Sequence, residues 1–383
     1  MIAVIADDLT GAAEMSGICL RNGRKTFLAM NSVIHTASDV LVACTDSRSL
    51  RHKEAMHVTE MVTLKMKELK PEQYFKKIDS VLRGYVIDEI RLQMKLLGYQ
   101  RTLMLPANPT LGRIIKNGKY YIHDQLIHTT SFSRDAEFPI LDSDIFHMLR
   151  INTPPDVKLL SVGDPIPTQG IFIGEVSSWE DLLYWIQKIE SDMFLAGAGD
   201  FLEALLSTKS KAAGFGTAAL QMPHLYVGGT SYGKSVAFIY ELYKKEGPVF
   251  YIPTSHLNHP NEKIPFWIDQ VVKTLQDKQH AIIAIDPRIE IPSFVTPASL
   301  RKITAALVKQ VMQKIELAEL FIEGGSTASS ILHELGYLHL EPIMELRRGV
   351  VKLKPTENNH LLITVKPGSY DLPQDVLALY SNL

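Results

Sequence analysis

The chain has 383 residues, 46% of them apolar and 21% charged, with 40 Lys and Arg against 42 acids. That length is a soft prior for two domains with their own cores, and the near-neutral balance argues against general binding to nucleic acid or an anionic membrane, leaving only local basic pockets. Two cysteines, Cys19 and Cys44, give no disulfide framework or metal cluster, and no run reaches the roughly 18 apolar residues of a membrane helix; a cytoplasmic protein without a leader is expected.

The first strand, Ile2-Ala3-Val4-Ile5-Ala6, is an apolar run suited to burial on both faces of a parallel sheet. It ends in Asp7 and Asp8, and Leu9-Thr10-Gly11-Ala12-Ala13-Glu14 opens a helix. Open α/β sheets bind ligands beyond the carboxyl ends of their strands. Two adjacent acids there call for a cation or proton nearby. Asp8 or Thr10 also suits a helix cap, but a cap needs one acid and this turn has two.

Val40 to Cys44 reads as a second strand, running into Thr45-Asp46-Ser47-Arg48, and residues 53–69 have helical periodicity through Ala55, Val58, Met61, Val62 and Met66. Tyr74 to Ile78 is a further strand, followed by Asp79-Ser80-Val81-Leu82-Arg83-Gly84 and a helix to Leu97. Thr102 to Leu105 ends in Pro106-Ala107-Asn108-Pro109. Strands alternating with helical patterns give βαβ units and a mostly parallel sheet. Residues 112–135, polar and rich in Tyr and His, show no period. Ile171 to Ile173 and Met193 to Gly197 read as strands around a helix containing Trp179 and Trp185. Lys, Ser, Gly and Ala dominate residues 207–223, which read as a linker ending in Pro223. Strands restart at 224–228, 248–252, 281–285 and 319–323, and 349–354 and 361–366 form a late pair. The expected fold class is α/β: two α/β domains with mostly parallel sheets and an interdomain cleft, at 1–207 and 223–383, joined by a linker at 208–222.

Four strand ends of the first half carry polar groups: Asp7-Asp8, Asp46 with Arg48, Lys77-x-Asp79-Ser80-x-x-Arg83, and Asn108 with Arg113. Parallel strands place these ends on one rim. Arg48, Lys77 and Arg83 suit a carboxylate or phosphate. Asp7, Asp8 and Asp79 balance them, bind sugar hydroxyls or act as a base. Taken singly, each pair is equally well a salt bridge.

In the second half, Gly228-Gly229-Thr230-Ser231-Tyr232-Gly233-Lys234-Ser235 fits the phosphate-loop pattern after a strand and before a helix. Ala281 to Ile285 with Asp286 matches the apolar strand and acid that hold Mg²⁺ in such enzymes. Leu320 to Ala328 and Leu361 to Tyr370 add two more glycine-bearing strand ends, at Gly324-Gly325 and Gly368. Backbone N–H groups at such ends bind anions. Three of them in one domain form a nucleotide-site pattern.

These segments, in this order, resemble the four-carbon acid sugar kinase family, whose members phosphorylate tetronates such as threonate, erythronate and 3-oxo-tetronate with ATP. Ala6-Asp7-Asp8-Leu9-Thr10-Gly11-Ala12 is similar to the family's opening A-D-D-[LF]-T-G-A. Lys77 to Gly84 resembles K-x-D-S-[TV]-L-R-G, and Pro106-Ala107-Asn108-Pro109 with Gly112-Arg113 resembles P-A-x-P-x-x-G-R. Ala196-Gly197-Ala198-Gly199 is similar to the glycine turn closing the first domain, Gly324-Gly325-Ser326-Thr327-Ala328 to G-G-[DST]-T-A, and Lys366-Pro367-Gly368 to the start of K-P-G-x-F-G. The chain departs from the family at Gly229-Thr230-Ser231, where a G-S-x-S-like turn is usual, at Ser326, a frequent Asp, and at Ser369-Tyr370-Asp371.

The resemblance implies an ATP- and Mg²⁺-dependent kinase acting on the terminal hydroxyl of a four-carbon sugar acid. Asp7, Asp8, Arg48, Lys77, Asp79, Ser80 and Arg83 are then the substrate residues, with Asp8 or Asp79 catalytic, and cleft closure excludes water. ATP is expected at Ser231, Gly324, Gly325, Ser326, Thr327 and Gly368; the metal ligands are left open, and Gly233-Lys234-Ser235 becomes a chance match. Of the opening doublet, Asp7 is expected to serve the helix and Asp8 to face the ligand. The partners expected are the sugar acid and ATP, with neither nucleic acid nor membrane; a homo-oligomer is left open. The alternatives are a P-loop NTPase or kinase using Gly228 to Ser235, and a non-catalytic sugar-acid-binding protein.

Overall fold

The computed structural model describes all residues except 35, 136, 152–155, 208–212, 217–219, 231, 261 and 382–383. It divides into two compact units, Met1–Ala213 and Gly214–Leu383.

The strands of the N-terminal unit are β1 (Ile2–Ala6), β2 (Thr26–Met30), β3 (Val40–Cys44), β4 (Gln73–Lys77), β5 (Arg101–Leu105), β6 (Arg113–Lys116), β7 (Lys119–Ile122), β8 (Gln125–Leu126), β9 (Val157–Leu160), β10 (Gly170–Gly174) and β11 (Met193–Gly197). Its helices are α1 (Leu9–Arg21), α2 (His52–Glu68), α3 (Val86–Leu97), α4 (Ile145–Met148), α5 (Trp179–Ile186) and α6 (Gly199–Ser207). The main sheet runs β2-β3-β1-β4-β11-β5-β10-β9 with every neighbouring pair parallel. Helices pack over it, α2 against α3 and α6 against both α1 and α5. Apolar strands such as β1 and β3 are buried along their length, as coverage on both faces requires.

Register sets the site. Ala6 pairs with Cys44 and Lys77, Lys77 with Gly197, and Gly197 with Leu105. The carboxyl ends of β3, β1, β4, β11 and β5 therefore finish on one level. The periodless stretch after Asn108 forms the small antiparallel sheet β6-β7-β8.

The C-terminal unit holds β12 (His224–Gly228), β13 (Val249–Tyr251), β14 (His280–Ala284), β15 (Glu319–Glu323), β16 (His339–Arg347), β17 (Val350–Pro355) and β18 (Leu362–Lys366), with α7 (Gly233–Lys244), α8 (Thr254–Asn258), α9 (Pro265–Lys278), α10 (Pro297–Met312), α11 (Gly325–Leu335) and α12 (Gln374–Ser381). Its strands run β13-β14-β12-β15-β18-β17-β16, parallel as far as β18 and antiparallel beyond it. Tyr226, Ile282, Phe321 and Tyr380 anchor one core cluster. Among the described residues, no helix is long and apolar enough to cross a membrane.

Candidate active site

The level carboxyl rim of the N-terminal sheet gathers the charged residues anticipated from sequence. Arg48, just past β3, makes a two-pronged contact with Asp7, Nε and Nη2 donating to the two carboxylate oxygens at 2.7 and 2.8 Å. The same Nη2 donates to Asp8 Oδ1 at 2.8 Å, and Nη1 lies 3.5 Å from Asp79 Oδ1. Arg83 grips Asp79 through Nε and Nη2 at 2.7 and 2.9 Å, and its backbone N–H donates to the same carboxylate. Lys77 donates from Nζ to the carbonyl of Ile78 at 2.7 Å and lies 3.5 Å from Glu14 Oε2.

The capping role of the doublet falls to Asp8 and not, as expected, to Asp7. Asp8 is the N-cap of α1, its Oδ1 accepting from the Gly11 N–H at 3.0 Å. Asp7 does not serve the helix; it is buried against Arg48. Position explains the exchange, because the last extended residue before the helix is Asp8, and only its side chain reaches the free N–H groups of the first turn. Asp8 is still the more open of the two, at 14% side-chain exposure against 5% for Asp7.

Burial alone would raise the carboxyl of Asp79, but Arg83 and Arg48 outweigh it and hold the group far below the ordinary carboxylate range. Burial and Arg48 oppose each other at Asp7 in the same way, with a net lowering. Both acids are fixed as anions, and both arginines as cations.

The irregular stretch adds Asp135, Tyr120 and Phe132, which sequence reasoning missed, to Arg113 and Asn108. Asp135 accepts from Arg83 Nη1 at 2.9 Å and is itself held by the N–H groups of Glu137 and Phe138. Arg113 donates to the Ser80 hydroxyl and stands over the Phe132 ring, while Tyr120 donates to the Ser80 carbonyl. Ser80 is buried by these contacts. Asn108 accepts from the Asp200 N–H at 2.9 Å, which ties the Pro106 to Pro109 turn to the start of α6. Nothing in the local composition signals these partners, since they come together only through the fold.

In the C-terminal unit, the ends of β12, β15 and β18 lie side by side, with Gly228, Glu323 and Lys366 on one rung. The turns that follow pack closely. A Cβ on Gly229 would stand 2.3 Å from Thr327 Oγ1, one on Gly324 (φ +101°) 2.7 Å from the Gly229 carbonyl, and one on Gly368 2.5 Å from Thr230 Oγ1. Only glycine fits such approaches. Thr327 donates to the Gly229 carbonyl at 3.2 Å, so its hydroxyl ties two turns together. Gly324 caps α11 with no side chain, leaving the first-turn N–H groups at Gly325 and Ser326 without a side-chain cap. That is an anion-receptive end. Ser231 lies outside the described residues.

The phosphate-loop lookalike has a different geometry. Lys234 is exposed and pairs with Asp371 at 2.9 Å, and Ser235 turns inward to donate to the buried Glu323. Asp286 is held by Arg288 at 2.6 and 2.8 Å. The ammonium, hydroxyl and acid that a phosphate loop needs are thus committed elsewhere. No group of three or more His, Cys, Asp or Glu able to hold a metal ion occurs among the described residues.

Comparison with known proteins places sugar binding in the N-terminal part of the chain. Residues 2–170 match the family model described as a sugar-binding N-terminal domain. The chain is 22% identical to a 3-oxo-tetronate kinase of Haemophilus influenzae over 97% of both proteins. It is 33% identical to a D-erythronate kinase of Heliobacterium modesticaldum over 36% of this chain and 33% of that relative. The fold is shared with the crystal structure of a Haemophilus influenzae DUF1537 protein, at a TM-score of 0.70 and 18% identity over 100% of this chain and 99% of the other. With the sugar-binding model matched at the charged rim and a tetronate kinase aligned from end to end, the chain is similar to the four-carbon acid sugar kinases.

Proposed function

We propose that the protein is an ATP-dependent kinase that phosphorylates the terminal hydroxyl of a four-carbon sugar acid: threonate, erythronate or 3-oxo-tetronate. The observation that carries this reading is the gathering of Asp7, Asp8 and Asp79 with Arg48, Lys77 and Arg83 at one strand-end rim. Unit Met1–Ala213 holds the acid and unit Gly214–Leu383 holds ATP.

Free hydrogen-bonding capacity assigns the roles. A guanidinium has five N–H groups. Arg48 hydrogen-bonds two acids and lies 3.5 Å from a third, so its first task is to order the carboxylates. Arg83 and Lys77 keep donors to spare and meet the substrate carboxylate, while Ser80 supports Arg113. A general base works best with a pKa near the working pH. Asp79, held far below that range by Arg83 and Arg48, is a poor base and a good orienting anion. Asp8 is the more open acid; its Oδ1 accepts from Arg48 and the Gly11 N–H and its Oδ2 from the Thr10 hydroxyl, and it takes the proton as the substrate hydroxyl attacks. Positioning and charge neutralisation supply most of the remaining acceleration.

ATP sits on Gly324, Gly325, Ser326 and Gly368, with Thr327 holding its turn in place; the close turns and the uncapped start of α11 suit phosphate oxygens. Mg²⁺ arrives with the phosphates and needs only one or two protein carboxylates. Asp371, which follows the Gly368 turn, is the acid of that segment.

An ADP-release assay across threonates, erythronates and 3-oxo-tetronates tests the proposal. Turnover of at least one acid is expected. Acid-induced thermal stabilisation without turnover of any would replace the kinase reading with that of a binding protein.

A further inference from the structure

Lys366 and Glu323 form a buried ion pair directly beneath the glycine turns, both with side chains at 0% exposure and 2.6 Å apart. Glu323 accepts two further hydrogen bonds, from the Tyr226 hydroxyl of β12 at 2.5 Å and from the Ser235 hydroxyl of α7. Lys366 also donates to the carbonyls of Pro367, at 2.9 Å, and Tyr370, which together span the Gly368 turn. Its three N–H groups are therefore consumed. An ammonium at the end of a glycine-bearing strand invites assignment as a phosphate ligand, yet this one has neither exposure nor a free donor.

We propose that the Lys366–Glu323 pair, with Ser235 and Tyr226, is the positioning element of the phosphate-donor site, fixing the turns after β12, β15 and β18 in mutual register without touching nucleotide. The inference rests on the kinase reading and deepens it. Buried ion pairs seldom raise stability over an apolar replacement of similar volume, because desolvation offsets their attraction. What this pair supplies is direction, since one ammonium ties an acid on β15 to two carbonyls of the 367–370 turn. The glycine contacts leave that turn little latitude: Gly368 packs on Thr230, and Gly324 packs on Gly229. It also gives Ser235 of the phosphate-loop lookalike a purpose, as a donor to Glu323.

The double variant Lys366→Met/Glu323→Gln removes both charges and strands neither. Wild type and variant are compared in thermal unfolding, in kinetics against ATP and the best acid, and in thermal shift on adding ADP. The expected result is an unfolding temperature near wild type, a KM for ATP raised at least tenfold, a reduced ADP shift, and an unchanged KM for the acid. An unchanged KM for ATP would overturn the inference, as would equal losses for both substrates that track a lower unfolding temperature. If the double variant does not fold, Ser235→Ala decides, with a two- to fivefold rise in KM for ATP expected and no change counting against the inference. A wild type that shows an ADP shift but turns over no acid counts against the kinase reading alone, and the ADP shift of the variant still decides this one; a wild type with neither overturns both.

Discussion

Two lysines end inner strands of the two sheets, and their fates differ. Lys77 closes β4 and Lys366 closes β18. Each donates to the carbonyl of the residue after it, and each has an acid nearby. Around Lys77 the charges form the rim itself: Arg83 is 23% exposed and Asp8 14%, with capacity left over. Around Lys366 the charges lie wholly below the rim, and backbone and glycine make the surface. On the proposed function, the same topological position serves as working surface in one unit and as foundation in the other. A small acid with hydroxyls needs directional charge, whereas triphosphate oxygens are well met by closely spaced N–H groups.

The strongest way to break this comparison is Asp8→Asn. Asn caps helices as well as Asp does, so the fold should hold. Loss of the base should lower kcat about 10²–10⁴-fold, and a fall below tenfold would show that the rim does not use Asp8 as its base. Asp79→Asn should act mainly through KM for the acid.

Acid stability separates the units next. Burial, with His280 and Lys352 nearby, pushes His224 down to about 4 from its usual 6.5. A histidine depressed in the native state stays neutral while the unfolded chain takes up a proton. Stability from this group is complete above pH 6.5 and is lost as the pH falls toward 4. The C-terminal unit should lose on the order of 3 kcal/mol over that window. Asp7 and Asp79 are depressed carboxylates, so their contribution is complete above 3.8 and is lost only below it. Hydrogen exchange should therefore report opening of Gly214–Leu383 first on acidification, and His224→Gln should narrow the difference, leaving the smaller share of His256 and His280, which burial also lowers.

Arg83→Lys removes the two-pronged grip and should raise KM for the acid about 10–100-fold, with KM for ATP unmoved. The smallest effect is expected at Lys234→Ala. Its exposed pair with Asp371 contributes little, so KM for ATP should change by less than about twofold. Abolished turnover would restore the phosphate-loop alternative and end the contrast between the two lysines.

The sheet cores were legible because buried parallel strands are written as apolar runs: β1, β3, β11, β12 and β15 begin and end where their runs do. The late pair also forms, as antiparallel β17 and β18. Strand β2, Thr26–Met30, follows Arg24 and Lys25 without a polar strand-end signal and was not read. Strand β16 is half-exposed and interrupted by Pro342, which a central strand would not carry. Residues 113–126 build their sheet from solvated residues mixed with a few buried ones, of which Arg113 and Tyr120 meet Ser80, so no single period emerges. At the rim, Asp7, Asp8, Arg48, Lys77, Asp79 and Arg83 could be proposed together because each follows a readable strand. Asp135 could not, since a 3₁₀ turn far along the chain delivers it. Glu323 ends an apolar run and was visible, but nothing in the sequence told a buried acid from an exposed one.

The β6-β7-β8 element has a consequence for divergence within the family. It lies outside the parallel sheet, yet it brings Tyr120 to Ser80, and the turns after it bring Phe132 and Asp135 to Arg113 and Arg83. Substitutions there alter the outer wall of the acid site without disturbing the strands whose packing holds the unit together. On the proposed function, substitutions in this element change acid preference and leave the contacts of Asp7, Arg48 and Asp79 in place. Chimaeras that exchange residues 113–138 between relatives should carry acid preference with the insert.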